Sequence, residues 1–150
     1  MLRILFAALS LFAFSWITHA DVLLKDNQGN NIPFSTLKGK WVFINYWASW
    51  CPGCVEEIPQ FNRFYDSHKK NDIALFAVNF DGLPIAKQKS LIKRFHIQYP
   101  SLVQDPSDDL HLGDIRGIPV TFVFNPQGTL VKILYGGQTV KDLNRVMKTS

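Results

Sequence analysis

The chain has 150 residues, 47% of them apolar, with twelve Phe and four Trp. This is core material for one packed domain and excludes a disordered or low-complexity chain. Net charge is +4 at pH 7, and the basic residues are scattered apart from "KQKSLIKR", Lys87 to Arg94. No basic groove with interleaved aromatics is present, which argues against a nucleic-acid partner.

Residues 1–20 have a positive start at Arg3, an apolar run from Ile4 to Ile17 and a small-residue end, "THA", at Ala20. This is the three-part pattern of a secretory signal. The run is shorter than the ~20 residues that span a bilayer. Cleavage after Ala20 is expected, leaving a folded domain over residues 21–150. The alternative is an uncleaved inner-membrane anchor facing the periplasm, the one case in which membrane association is expected. No cysteine stands near the boundary to carry a lipid. Export to the periplasm puts the chain where disulfides persist.

"DNQGNNIPF", from Asp26, predicts the turn of a small N-terminal hairpin with Val22 to Leu24 on one side. "WVFINYW", Trp41 to Trp47, and "IALFAVNF", Ile73 to Phe80, are near-continuous apolar runs. Such runs belong to strands buried on both faces of a largely parallel sheet. Between them Val55, Ile58, Phe61 and Phe64 recur every three residues, a helical pattern, so the segment reads as a βαβ unit. A helix is predicted from about Ile85 to Phe95, its cations in solvent above an apolar side. A short strand near Leu102 and Val103 and an irregular stretch, "DPSDDLHLGDIRG", follow. "VTFVF" and "LVKILY" flank "NPQG" as a hairpin. "TVKDLNRVMK" closes the chain as a helix with Thr139 as its N-cap. The sum is an α/β domain with a central mixed sheet and helices on both faces.

The only two cysteines, Cys51 and Cys54, lie where the first buried strand gives way to a helix. Pro52 suits a first helical position, where its missing N–H would be unpaired anyway. Cys51 therefore stands at a helix N-terminus, where free N–H groups and the dipole favour a thiolate. The spacing puts both sulfurs on one side of the first turn, within bonding reach. A structural staple would close a very short loop, worth only about 2 kcal/mol in the chain-entropy model, and needs no helix N-terminus. A zinc site needs about two more ligands. No second C-x-x-C exists, and His68, His96 and His111 are isolated in sequence. Val55 stands where c-type haem attachment requires His. The weight falls on a reversible dithiol/disulfide couple.

"FINYWASWCPGCVEEIP" followed by "IRGIPVTFVF" resembles the thioredoxin superfamily, closest to its extracytoplasmic TlpA/ResA/DsbE-like branch, also described as redoxin or AhpC/TSA-like. The resemblance spans Val22 to Lys148. It rests on the Trp-Cys-x-x-Cys motif at Trp50 to Cys54, on Pro119 matching the family's cis-proline before a core strand, and on Pro59 matching its helix-kinking proline. It implies a thioredoxin fold, a central mixed sheet flanked by helices, with an N-terminal hairpin and a βα insertion around Leu83 to Pro100. Asn45 stands where thioredoxin itself has a buried Asp; the branch tends to have Asn there and a Glu three residues after the second cysteine, here Glu57. The Pro52-Gly53 dipeptide reverses thioredoxin's order, so its potential does not carry over.

The resemblance implies roles. Cys51 attacks and Cys54, more buried, resolves. Glu57 relays the Cys54 proton or raises the cysteine pKa values by its charge; the plain alternative, an exposed helix carboxylate, suits Glu56 better. Pro119 turns Ile118 backbone groups toward the disulfide to pair with an extended substrate and keeps a chelating side chain away; the plain alternative is a simple turn. Trp50 shields the site edge. Trp47, Tyr46 and Phe43 are core. No cofactor or metal is implied. The expected function is reduction of protein disulfides, as in apocytochrome c before haem attachment, with electrons from a membrane donor protein. An oxidant or isomerase role stays open. A thiol peroxidase would need its own Thr- and Arg-containing motif before the cysteine. A copper-binding module, which in related proteins uses C-x-x-x-C and a later His, is least favoured because the spacing here is one residue short.

Overall fold

Strand β3, Trp41–Trp47, is the pivot of the fold, six of its seven residues being buried. The computed structural model describes residues 20–68, 70 and 72–149. The expected signal segment, except for Ala20, lies outside the described residues. The chain runs β1 (Leu23–Lys25), β2 (Asn31–Pro33), a 3-10 turn (Phe34–Leu37), β3, α1 (Pro52–His68), β4 (Ile73–Asn79), α2 (Ile85–Arg94), β5 (Ser101–Leu102), β6 (Val120–Phe124), β7 (Leu130–Tyr135) and α3 (Val140–Thr149). Five strands form one mixed sheet in the order β5-β4-β3-β6-β7. β4 runs parallel to β3 and β5, whereas β6 pairs antiparallel with β3 and β7 with β6. This is the thioredoxin fold that the sequence predicts. The β1–β2 hairpin stands apart and is stitched to the sheet edge where Val103 N donates to Lys25 O and Asn27 N to Ser101 O.

Alternation along β3 sorts its side chains onto two faces. Phe43 and Trp47 join Ile58, Phe61, Phe64 of α1 and Leu143, Val146 of α3 in one apolar cluster. Val42, Ile44 and Tyr46 join Phe76, Val78, Val120, Phe122 and Phe124 in the other. The buried residues of α1 are Cys54, Glu57, Ile58, Phe61 and Phe64, one helical stripe. Cys54 and Glu57 are thus held against the sheet by the same periodicity that buries the core.

One expectation fails. Leu91, Ile92 and Phe95 of α2 and its end pack on the same cluster as α1 and α3, so the described α-helices all cover one face. The other face is closed by the hairpin, the 3-10 turn and the segment before Pro119, through Ile32, Phe34, Leu110, Leu112 and Ile115. Within "DPSDDLHLGD", Pro106, Gly113 and four Asp disfavour a continuous helix. The stretch collapses into turns that still bury their leucines. Elsewhere β5 begins at Ser101, one residue before the predicted strand. Thr139 caps α3 as expected: Asp142 N donates to its Oγ1 at 3.3 Å and Thr139 N to the Asp142 carboxylate at 3.1 Å.

Phe61 is fully buried between α1 and the sheet. Phe61→Ala is expected to lower stability by about 3–5 kcal/mol, read as a reduced midpoint of urea unfolding with an unchanged slope.

Candidate functional site

The site forms where β3 ends and α1 begins. Cys51 and Cys54 are joined in a disulfide, their Cα atoms 5.3 Å apart. Cys51 occupies the N-cap: its carbonyl accepts the Val55 N–H at 3.1 Å, and its Sγ accepts the Cys54 N–H at 3.2 Å. A sulfur here takes the place of the Ser or Asp oxygen that ordinarily satisfies the first free amides of a helix. Cys54 is fully buried, whereas Cys51 keeps 6% exposure. The neighbouring Trp50 is 65% exposed, so it stands out from the rim.

The Ile118–Pro119 peptide bond is cis, and the Pro119 ring lies against Gly53: a Cβ built on that glycine would meet Pro119 Cδ at 3.8 Å. Pro119 therefore faces the cysteine turn from just before β6, and Ile118 packs on both apolar clusters. Pro59 lies inside α1, which continues to His68.

Glu57 is 3% exposed, whereas Glu56 is exposed. Its Oε1 accepts from Asn45 Nδ2 of β3 at 2.8 Å, and its Oε2 accepts from the Gln138 amide before α3 at 2.9 Å. Asn45 Nδ2 also donates to Thr121 Oγ1 of β6 at 3.1 Å. Burial pushes the Glu57 carboxyl up from its ordinary 4.5 to about 7, against the downward pull of the Asn45 and Gln138 hydrogen bonds. Burial, with the Glu57 charge second, also pushes the Tyr99 hydroxyl up. Glu57 borders an open groove of about 290 Å³ between Gly53 and Gly137–Thr139.

The sequence-predicted site residues Cys51, Cys54, Glu57, Trp50, Ile118 and Pro119 thus meet at one end of the sheet. Sequence reasoning missed what holds them. Asn45, non-titrating where thioredoxin itself has Asp, donates to Glu57 across twelve residues of chain, a contact that no local spacing reveals. Sequence reasoning missed Gln138 as well. It also missed Asp81, whose carboxylate accepts from Ser49 N at 3.0 Å, Ser49 Oγ at 2.8 Å and Asn79 Nδ2 at 2.6 Å. Asp81 pins the cysteine loop to the end of β4. The available signal was an Asp-Gly turn beyond the carboxyl end of a parallel strand, where open α/β sheets gather function. Among the described residues, no group of three or more His, Cys, Asp or Glu is arranged to hold a metal ion.

The sequence profile of the AhpC/TSA family matches residues 18–133. The chain belongs to the AhpC/TSA family. Within it, the chain is similar to thiol–disulfide oxidoreductase ResA of Geobacillus kaustophilus, 30% identical over 88% of this chain and 75% of that one. Among solved structures, StoA from Bacillus subtilis superposes with a TM-score of 0.70 at 29% identity, over 84% of this chain and 95% of its own. The pneumococcal exposed lipoprotein thioredoxin from Streptococcus pneumoniae superposes with a TM-score of 0.73 at 25% identity, over 87% of this chain and all of its own. Like the ResA relatives, the chain is a thiol–disulfide oxidoreductase, and Cys51–Cys54 is its single cysteine pair.

The raised Glu57 pKa has a definite sign. Between 4.5 and about 7 the folded protein keeps a proton that the unfolded chain has released. Its contribution is present below the lower value and is lost as pH rises through the upper one. The disulfide-bonded protein is expected to lose stability across this window, on the order of 3 kcal/mol for the full shift, relative to Glu57→Gln. Urea unfolding of both proteins at several pH values checks this; parallel curves would contradict it.

Proposed function

We propose that this chain is an exported thiol–disulfide oxidoreductase that reduces disulfides of partner proteins, with Cys51 as nucleophile and Cys54 as resolving thiol. The observation that carries the reading is the N-cap position of Cys51, whose sulfur accepts the Cys54 amide. The same donor and the helix dipole would stabilise the Cys51 thiolate once the disulfide is reduced.

The chemistry balances. The Cys51 thiolate attacks one sulfur of the partner disulfide; a mixed disulfide forms and the other partner sulfur leaves as a thiolate. The Cys54 thiolate then attacks Cys51 Sγ, the internal disulfide forms, and the second partner thiolate leaves. Two electrons pass to the partner, whose two thiolates take their protons from solvent, and the Cys54 proton is released. Cys54 is buried and must lose a proton before it attacks. Glu57, three residues on and with a carboxyl near neutrality, takes that proton and passes it to the groove beside Gly137. The cis peptide at Pro119 presents Ile118 backbone groups beside the cysteine turn for an extended partner segment, and Trp50 covers the edge of that contact.

The pattern of residues 1–20 supports export to the periplasm. In that oxidising compartment the couple needs electrons from a membrane dithiol donor. Partner disulfides such as that of an apocytochrome c before haem attachment are the substrate class we assign.

Cys54→Ser is expected to hold partners on Cys51 as stable mixed disulfides, identified by mass spectrometry. Recovery of no Cys51-linked partner, together with no exchange by the native protein, would sink the reading. The pH dependence tests Glu57 separately. The native rate of disulfide reduction is expected to rise through pH of about 7, where Glu57 ionises. Glu57→Gln should lose that inflection and run about 10²-fold slower above it.

A further inference from the structure

Seven large apolar side chains stand exposed on the described residues, and four of them fall on two adjoining loops and the start of α2: Trp50 at 65%, Phe80 at 40%, Leu83 at 37% and Ile85 at 48%. The loops are tied together. Ser49 donates twice to Asp81, and Phe80 N donates to Trp47 O at 2.8 Å. None of the four is among the buried or partly buried residues of either apolar cluster, and Phe80 stands edge-on to Tyr46 with ring centroids 6.4 Å apart. Pro84 between Leu83 and Ile85, and Ala86 after them, are exposed as well. The result is an apolar ridge along the carboxyl end of β4, beside the end of β3 that leads to Cys51.

Charge is divided across this end of the sheet. α2, which begins at Ile85, carries Lys87, Lys89, Lys93 and Arg94 and no carboxylate. The stretch 105–114, which closes the other face of the sheet, carries Asp105, Asp108, Asp109 and Asp114 and no Lys or Arg. A groove of about 290 Å³ lies beyond the ends of β4 and β5, bounded by Phe80, Gly82 and Gln88 on one side and Val103, Gln104 and Asp105 on the other. Such crevices beyond the carboxyl ends of parallel strands are where open α/β sheets take ligands.

We propose that Trp50, Phe80, Leu83 and Ile85 form a docking ridge for apolar residues next to the cysteine of a partner polypeptide, and that α2 selects partners whose adjoining residues are acidic. The proposal rests on the oxidoreductase reading and adds its substrate selectivity. An exposed apolar patch supplies contact area, and the opposed charges orient the partner, its acidic side toward α2 and away from the Asp-rich stretch.

The test uses the reduced protein and three synthetic peptides, each closed by one disulfide: acidic with Leu and Phe beside the cysteines, basic with the same apolar residues, and acidic with Ser in their place. Bis(2-hydroxyethyl) disulfide, which has nothing for the ridge to hold, is the reference. Relative to it, the acidic apolar peptide is expected to be reduced about tenfold faster than either other peptide, an advantage that falls with added salt for the charge comparison. Leu83→Ser with Ile85→Ser should lower the advantage over the Ser-containing peptide about fivefold. Lys87→Glu with Lys89→Glu should invert the preference between acidic and basic peptides. Equal rates for all three peptides, with the reference disulfide still reduced, would overturn the ridge alone. Failure to reduce the reference disulfide would overturn the oxidoreductase reading and the ridge with it. Unchanged peptide preferences in the Leu83/Ile85 variant, coupled with its loss of binding to anionic lipid vesicles, would reassign the surface to a membrane and overturn the proposal.

Discussion

A carboxyl group buried in the apolar stripe of a helix is the constraint on which this site depends. Glu57 lies on the face of α1 that carries Cys54, Ile58 and Phe61 toward the sheet. Burial alone would leave its oxygens without partners, at a penalty of several kcal/mol for an ion. The structure supplies one donor to each oxygen, from Asn45 of β3 and from the Gln138 backbone. These bonds hold the central strand, the cysteine helix and the approach to α3 around one group. They also leave the carboxyl poised near neutral pH, with one side open to a groove.

The cysteine turn is secured from three directions. Its own amide at Cys54 donates to the Cys51 sulfur, Pro119 rests against Gly53 from β6, and Asp81 grips Ser49 from the end of β4. The last two contacts come from different strand ends, because the order β5-β4-β3-β6-β7 places β4 and β6 on either side of β3. A central position in the sheet is therefore what surrounds the disulfide with fixed groups. The same order leaves the loop after β4 on the rim, where its apolar residues face solvent beside the reactive sulfur.

Much of this was legible before any coordinates. Apolar runs without alternation marked β3 and β4 as doubly buried strands. The spacing of Val55, Ile58, Phe61 and Phe64 marked α1, although Val55 itself is only half-buried. The Cys-Pro-Gly-Cys turn and Pro119 carried the resemblance that united the site. The error over which face the helices cover has a physical origin. An amphipathic pattern states that a helix has a buried side, but not which side of the sheet receives it. The second face is closed by a stretch whose Pro, Gly and Asp content prevents a helix while its leucines still seek burial.

What the sequence determined by itself is local: the period of each element, the N-cap placement of Cys51, and the i,i+3 relation that puts Glu57 under Cys54. Those follow from backbone geometry within a few residues. Only the tertiary structure decided that Asn45, Thr121 and Gln138 surround Glu57, that Asp81 anchors Ser49, and that Trp50 and Ile85 share a rim. These residues are far apart in the chain. Their meeting is set by strand order and by which face each helix packs on, and hydrophobic periodicity encodes neither.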